Sequence, residues 1–187
     1  MKPTTNVLLG ERIRLRELRE DDLTDLVAWW QDPAVMVTQT GGPIHPRPAA
    51  PIAEQFRAWS RNDGTDAGLV AVTHDGTVLG QVSLFGAEAH NRTATFAIII
   101  GPPHQGQGYG LEATRLMLRF AFAELNLHRV QLNVLGYNER AIHTYTRAGF
   151  VDEGRDRSAV FRGGAWHDNV RMGILAEEWW AAESGER

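Results

Sequence analysis

The chain has 187 residues, 43% hydrophobic and 22% charged, with a formal net charge of −4. That balance is ordinary for a soluble globular protein and gives no strong field for nucleic acid or a membrane surface. There is no cysteine, which excludes disulfides, a thiolate zinc site and a cysteine nucleophile. The N-terminal stretch MKPTTNVLLGERIRLREL lacks a long apolar core, and no run of about 18 apolar residues follows it, so a cytoplasmic location is expected.

In chain order, residues 12–18 (RIRLREL) alternate apolar and charged side chains, a strand pattern. Asp21 or Asp22 then caps a helix that runs through Trp30 and stops before Pro33. Residues 38–51 hold Gly41, Gly42 and four prolines and read as a loop, and residues 52–61 read as a second helix. Residues 67–74 and 77–85 flank Asp75-Gly76, a strong hairpin signal. Residues 92–100 (RTATFAIII) are a further strand. Residues 109–125 form a helix with Leu111, Leu118, Phe122 and Leu125 on one face. Residues 129–135 alternate again, and residues 138–148 are helical with Gly149 as the terminating glycine. Two last strands meet at Gly163-Gly164, and Trp179 and Trp180 fall in a short tail. No repeat or linker divides the chain, so residues 1–187 are expected to be one domain of the α+β or mixed α/β class.

The junction between the strand at 92–100 and the helix at 109–125 is the most informative stretch. Gly106, Gly108 and Gly110 alternate with Gln107 and Tyr109 where the strand hands over to the helix. Glycine is costly in a helix, but here it clears main-chain N–H groups for a close approach. The first turn of a helix leaves such groups unpaired and adds positive potential, which favours phosphate. A Walker loop needs Gly-Lys-Ser/Thr, and here Gly110 is followed by Leu111. A dinucleotide fingerprint needs a glycine where Leu111 stands. A pyrophosphate cradle of another kind remains.

Gln105-Gly106-Gln107-Gly108-Tyr109-Gly110 resembles the Q/R-x-x-G-x-G/A loop of the GCN5-related N-acetyltransferases, the GNAT family. Asn138, Ala141, Tyr145 and Gly149-Phe150 resemble that family's N-x-x-A/S…Y-x-x-x-G-F segment in order and spacing. The likeness is nearest to the RimJ/RimL-like branch, which includes ribosomal-protein and spermidine acetyltransferases, and it covers residues 67 to 175 best.

The resemblance implies the GNAT acyl-CoA N-acyltransferase fold: a twisted, mostly antiparallel central sheet, flanked by helices, whose strands 4 and 5 splay apart. Strand 4 corresponds to residues 92–100 and strand 5 to residues 129–135. It implies that acetyl-CoA is the donor, lying in the gap between them. Ile98, Ile99 and Ile100 would then bond the pantetheine arm, and Gln105, Gly106, Gln107, Gly108, Tyr109 and Gly110 would hold the pyrophosphate. Asn138 would touch the arm beyond strand 5, and Tyr145 would protonate the departing thiolate. That chemistry suits fixed donors for an oxyanion and a tyrosine proton. Many relatives place a glutamate base in strand 4, where this chain reads Ala94-Thr95-Phe96. The base is then ordered water, Glu88, His90 or His143.

Glu112 reads as a first-turn carboxylate, and His74, His104, His128 and His167 as surface or loop residues. No metal site is expected. Trp29, Trp30 and Trp59 pack in the core and its rim, or line an acceptor pocket. The acceptor is a primary amine on a small molecule or a protein N-terminus, with no nucleic-acid or membrane partner. Polyamine enzymes of this branch carry acids after their first helix, where this chain has Thr40-Gly41-Gly42-Pro43. Asp152, Glu153 and Asp156 offer some negative charge elsewhere. The resemblance also allows a homodimer. The alternative function is a CoA-binding sensor or structural protein without turnover.

Overall fold

The computed structural model describes residues 6–185. Residues 1–5, part of the stretch read for a leader, and residues 186–187 lie outside the described residues. Seven strands make one sheet: β1 (Ile13–Arg16), β2 (Ala67–Thr73), β3 (Val78–Glu88), β4 (Thr93–Ile100), β5 (Arg129–Leu135), β6 (Val151–Arg162) and β7 (Ala165–Leu175). Their order is β1-β2-β3-β4-β5-β7-β6, and every neighbouring pair is antiparallel except β4 with β5. The helices are α1 (Leu23–Gln31), α2 (Pro33–Met36), α3 (Ala49–Trp59), α4 (Tyr109–Ala123), α5 (Glu139–Ala148) and α6 (Ala176–Ser184).

The strand alternation sorts side chains onto two faces. Ala94, Phe96, Val130, Leu132, Val134, Val170 and Met172 join Ala113, Met117, Leu118 and Ala121 of α4 in the larger core. Val70, Val72 and Ile99 point the other way, into a smaller core with Leu26, Ile52 and Phe56 from α1 and α3. Trp30, Phe56 and Trp59 stack edge to face there, with centroids 5.4–5.7 Å apart. Trp29 instead lies on Gly101, where a Cβ would come within 2.3 Å of its ring.

Several elements differ from the sequence reading. Asp22 precedes α1, but its carboxylate accepts from Arg16 and the Arg19 N–H rather than capping that helix. The second helix starts at Ala49, three residues earlier than expected, because Pro51 sits in its first turn, where a missing N–H costs nothing. Beyond the expected stop before Pro33, Asp32 caps an extra turn, α2, by accepting from the Ala34 N–H at 2.8 Å. The tail holding Trp179 and Trp180 is a helix. The Glu178 carboxylate accepts from the Leu175 N–H at 2.8 Å, and Trp179, 4% exposed, packs beside Phe122.

The feature that positions the site is the short contact between β4 and β5. They pair only over Thr93–Thr95 and Arg129–Gln131. Beyond that, β4 follows β3 as far as Ile100, and β5 follows β7 as far as Leu135. The sheet therefore opens between them.

Candidate active site

A cleft of about 440 Å³ occupies the opening between β4 and β5, floored by α4 and α5. The strand register settles which main-chain groups face it. The Gly101 N–H donates to the Leu79 carbonyl at 2.9 Å, and Ile99 stands opposite Gln81. Ala97, Ile99 and Gly101 thus turn their main-chain groups to β3, while Phe96, Ile98 and Ile100 turn theirs to the gap. On the far side, the Ala176 N–H donates to the His128 carbonyl at 2.9 Å. By the same alternation Asn133 and Leu135 face the gap. Of the three isoleucines expected at the donor arm, Ile98 and Ile100 line the cleft and Ile99 does not. Alternation gives Ile99 to β3 by its backbone and to the smaller core by its side chain.

The glycine loop follows directly. Gly106 (φ +75°) and Gly108 (φ +86°) are left-handed, and Gly108 is the N-cap of α4 with no side chain capping the helix. The N–H groups of Gly106, Gln107, Gly108, Tyr109, Gly110 and Leu111 make no hydrogen bond among the described residues. Six adjacent unpaired donors at a helix start form an anion cradle. Gly106, Gly108 and Gly110 line the cleft, and Gln107 and Tyr109 do not. The loop is braced from behind. Arg12 donates to the Gln107 carbonyl at 2.9 Å, pairs with Glu112 at 3.0 Å and lies 4.9 Å over the Tyr109 ring. Gln105 donates to the Ile100 carbonyl at 2.8 Å, and Arg140 donates to the Gln105 side-chain oxygen at 2.8 Å.

Helix α5 brings the second motif to the same cleft. Asn138 caps it, accepting from the Ala141 N–H at 3.2 Å, and also lines the opening. Tyr145 lies about two turns on, with its ring 6.1 Å from Phe96 and 5.9 Å from Phe150. Its hydroxyl has no hydrogen-bond partner among the described residues, and burial pushes its pKa up to about 12. Gly149, left-handed at φ +107°, ends the helix so that Phe150 can turn under the tyrosine ring.

Two arginines were missed by sequence reasoning. Arg140 and Arg147 both line the cleft. Their spacing of seven residues on one helix was the available signal, since it puts them on one face. Thr38, Gln39, Asn133 and Asn169 were missed too, because only the strand register and the loop's path bring them here. Glu88, His90 and His143, named as candidate bases, do not line the cleft, and neither do Trp29, Trp30 and Trp59. His143 is exposed on α5, and Glu88 accepts from the Asn91 side chain at 2.7 Å. No cluster of metal-ligating side chains occurs among the described residues. No helix of those residues is long and apolar enough to cross a membrane.

Comparison with known proteins follows the geometry. Residues 12–151 match the sequence profile of the Acetyltransferase (GNAT) domain. The chain is 34% identical over 118 residues to a spermidine N(1)-acetyltransferase of Vibrio cholerae, covering 63% of this chain and 68% of that one. It is 26% identical over 170 residues to an uncharacterized N-acetyltransferase of a Bacillus subtilis prophage, YokL, covering 90% and 93%. The crystal structure of the Vibrio cholerae spermidine N-acetyltransferase in complex with CoA and spermine superposes with a TM-score of 0.81 at 28% identity, covering 91% of this chain and 99% of that one. The open sheet, the glycine cradle and the profile match agree: this chain belongs to the GNAT family, acetyltransferases that carry an acetyl group from acetyl-CoA to an amine nitrogen.

Proposed function

We propose that the whole chain works as one cytoplasmic catalytic domain that binds acetyl-CoA and a primary amine together and transfers the acetyl group by direct attack. The observation that carries this reading is the row of polar groups along the cleft: six unpaired N–H groups from Gly106 to Leu111, then the β4 edge at Ile98, then the Tyr145 hydroxyl. The donor's diphosphate is anionic, and the cradle's dipoles with Arg140 and Arg147 match it in charge. The pantetheine amides extend β4 as an added strand, using Ile98 and the groups of Asn133 and Leu135 across the gap.

In this reading the thioester carbonyl meets an N–H of the β4 edge as negative charge develops on its oxygen. Such a donor is fixed beforehand and needs no reorganisation. The amine attacks the carbonyl carbon, and the C–S bond breaks. The proton gained by sulfur equals the one lost by nitrogen, so the balance needs no outside acid. Tyr145 stays protonated to about pH 12. It donates to the departing sulfur and recovers a proton from the nitrogen side through water. Full transfer from an acid near 12 to an ordinary thiolate, pKa about 8.5, would cost roughly 5 kcal/mol. The step therefore requires that donation and recovery be concerted.

The test is thiol release when protein, acetyl-CoA and a panel of amines are mixed, alongside calorimetric titration with CoA. Binding with thiol release from at least one amine is expected. Binding and thermal stabilisation without release from any amine would instead identify a CoA sensor. No binding at all would remove the cradle's assigned role.

A further inference from the structure

We infer that Tyr137 and Arg162 are positioning residues: they strap the loop after α2, residues 37–42, to the sheet as a wall of the cleft, and this wall governs binding of the acceptor amine rather than of acetyl-CoA. The inference rests on the acetyltransferase reading above.

Thr38, Gln39 and Gly41 line the cleft although their loop has no place in the sheet. Their neighbouring N–H groups reach only back to α2: Thr38 donates to the Val35 carbonyl, and Gln39 and Thr40 to the Met36 carbonyl, at 3.0–3.2 Å. A turn with local bonds alone opens easily. Two side chains from the β5–β7–β6 half of the sheet hold it. The Tyr137 hydroxyl, just past the end of β5, donates to the Val37 carbonyl at 2.6 Å. Arg162 Nη2, at the end of β6, donates to the Thr40 carbonyl at 2.9 Å and to the Gly42 carbonyl at 2.7 Å. Between these ties Gly41 rests on buried Val160, where a Cβ would come within 3.3 Å of a Val160 methyl. Among the described residues, no other hydrogen bond joins residues 37–42 to the sheet.

The ties are themselves braced. The Tyr137 ring meets His167 edge to face at 4.9 Å, and His167 Nε2 lies 3.2 Å from the Arg162 carbonyl oxygen. The Gly136 N–H donates to the Asp168 carbonyl at 2.8 Å, which sets Tyr137 beside β7. Arg162 Nε is buried and bonds nothing among the described residues. The guanidinium is thus placed to serve two loop carbonyls at the cost of its own satisfaction.

The strap is separate from the donor's contacts. The cradle, the β4 edge at Ile98 and α5 take their conformations from helix starts and strand pairing, and no hydrogen bond among the described residues links them to residues 37–42. The loop therefore adds wall to the cleft beyond what the donor needs. A loose wall makes it entropically costlier to hold the amine in line for attack.

The test reads hydrogen exchange over residues 37–42 and thiol release with a panel of amines that includes spermidine and a tripeptide amide. Arg162→Met keeps a long stem and loses both of its ties. Exchange in the loop is expected to quicken at least about 10-fold, and KM for the amine turned over fastest to rise about 10-fold, with kcat within about threefold and the acetyl-CoA dissociation constant within about twofold. Tyr137→Phe should raise the same KM about 3–5-fold, and it carries the comparison alone if Arg162→Met does not fold. Both Arg162 ties leave from one nitrogen, so Arg162→Lys, one bond shorter, should return KM to within about threefold of wild type. Because either loss frees the same strap, the double variant should raise KM by less than the product of the two singles. Unchanged KM in both single variants, or an equal weakening of acetyl-CoA binding, would overturn this inference while leaving the acetyltransferase reading intact. CoA binding by wild type without thiol release from any amine would remove both.

Discussion

Replacing Tyr145 with phenylalanine isolates one oxygen atom. The ring remains wedged between Phe96 at 6.1 Å and Phe150 at 5.9 Å, so the packing that holds α5 against the sheet is kept. The hydroxyl has no protein partner among the described residues, so its removal strands no other buried group. The melting temperature is therefore expected to stay within about 2 °C, since well under 1 kcal/mol is at stake. Catalysis should respond differently. A positioned acid contributes about 10²–10⁴-fold, and the lower half of that range suits a weak acid near pKa 12, so kcat should fall about 10²–10³-fold, or roughly 3–4 kcal/mol in barrier. Steady-state thiol release gives kcat, and calorimetry gives the dissociation constant for acetyl-CoA, expected to change less than about twofold. The raised pKa adds a second signature: wild-type activity should hold through pH 10, where an ordinary tyrosine would begin to ionise, and decline only toward pH 12. Turnover of the variant within about threefold of wild type would remove Tyr145 from the chemistry.

Other substitutions probe separate parts. Gly108→Val places a branched residue at φ +86° and its Cβ 3.1 Å from Arg12, so CoA binding by calorimetry should weaken at least about 10-fold. Arg140→Gln removes the charge and the guanidinium donor to Gln105, and should raise KM for acetyl-CoA about 3–10-fold with kcat little changed, measured by thiol release at low salt. Asp22→Ala strands Arg16, whose guanidinium donates to both carboxylate oxygens at 2.7 and 2.8 Å with side chains 10% and 4% exposed; denaturant unfolding should show a loss of about 3–5 kcal/mol. Burial alone would raise the Asp22 carboxyl, but the Arg16 and Arg19 bonds outweigh it and hold it below its ordinary value. Its contribution is thus present above the ordinary carboxylate pKa and lost as pH falls through the lowered one, so wild-type stability should drop below about pH 4, and less so in the variant.

Much of the site was legible because its signals are local. A glycine must stand where φ is positive, an asparagine caps the helix that starts beside it, and Tyr145 lies four residues before Gly149 whatever the rest of the chain does. All seven strands were readable from alternation and the Asp75-Gly76 hairpin. Helix α6 was not, since its support comes from Trp179 reaching Phe122 across 57 residues. The three side chains offered as bases lie outside the cleft for the same reason. Glu88, His90 and His143 carry the right chemistry, but which way a strand end or helix face points depends on pairing partners elsewhere.

The chain's own order of residues determined the glycine cradle, the capped helix with its tyrosine, the seven strands and the family. These follow from backbone conformations and periodicities set by neighbours a few positions apart. Tertiary structure alone decided that β4 and β5 part after Thr95 and Gln131, that Ile98 rather than Ile99 faces the opening, and that Arg140, Arg147, Asn133 and Asn169 line it. Those outcomes depend on strand register and on which helices cover each face, both set by contacts between residues far apart in the chain.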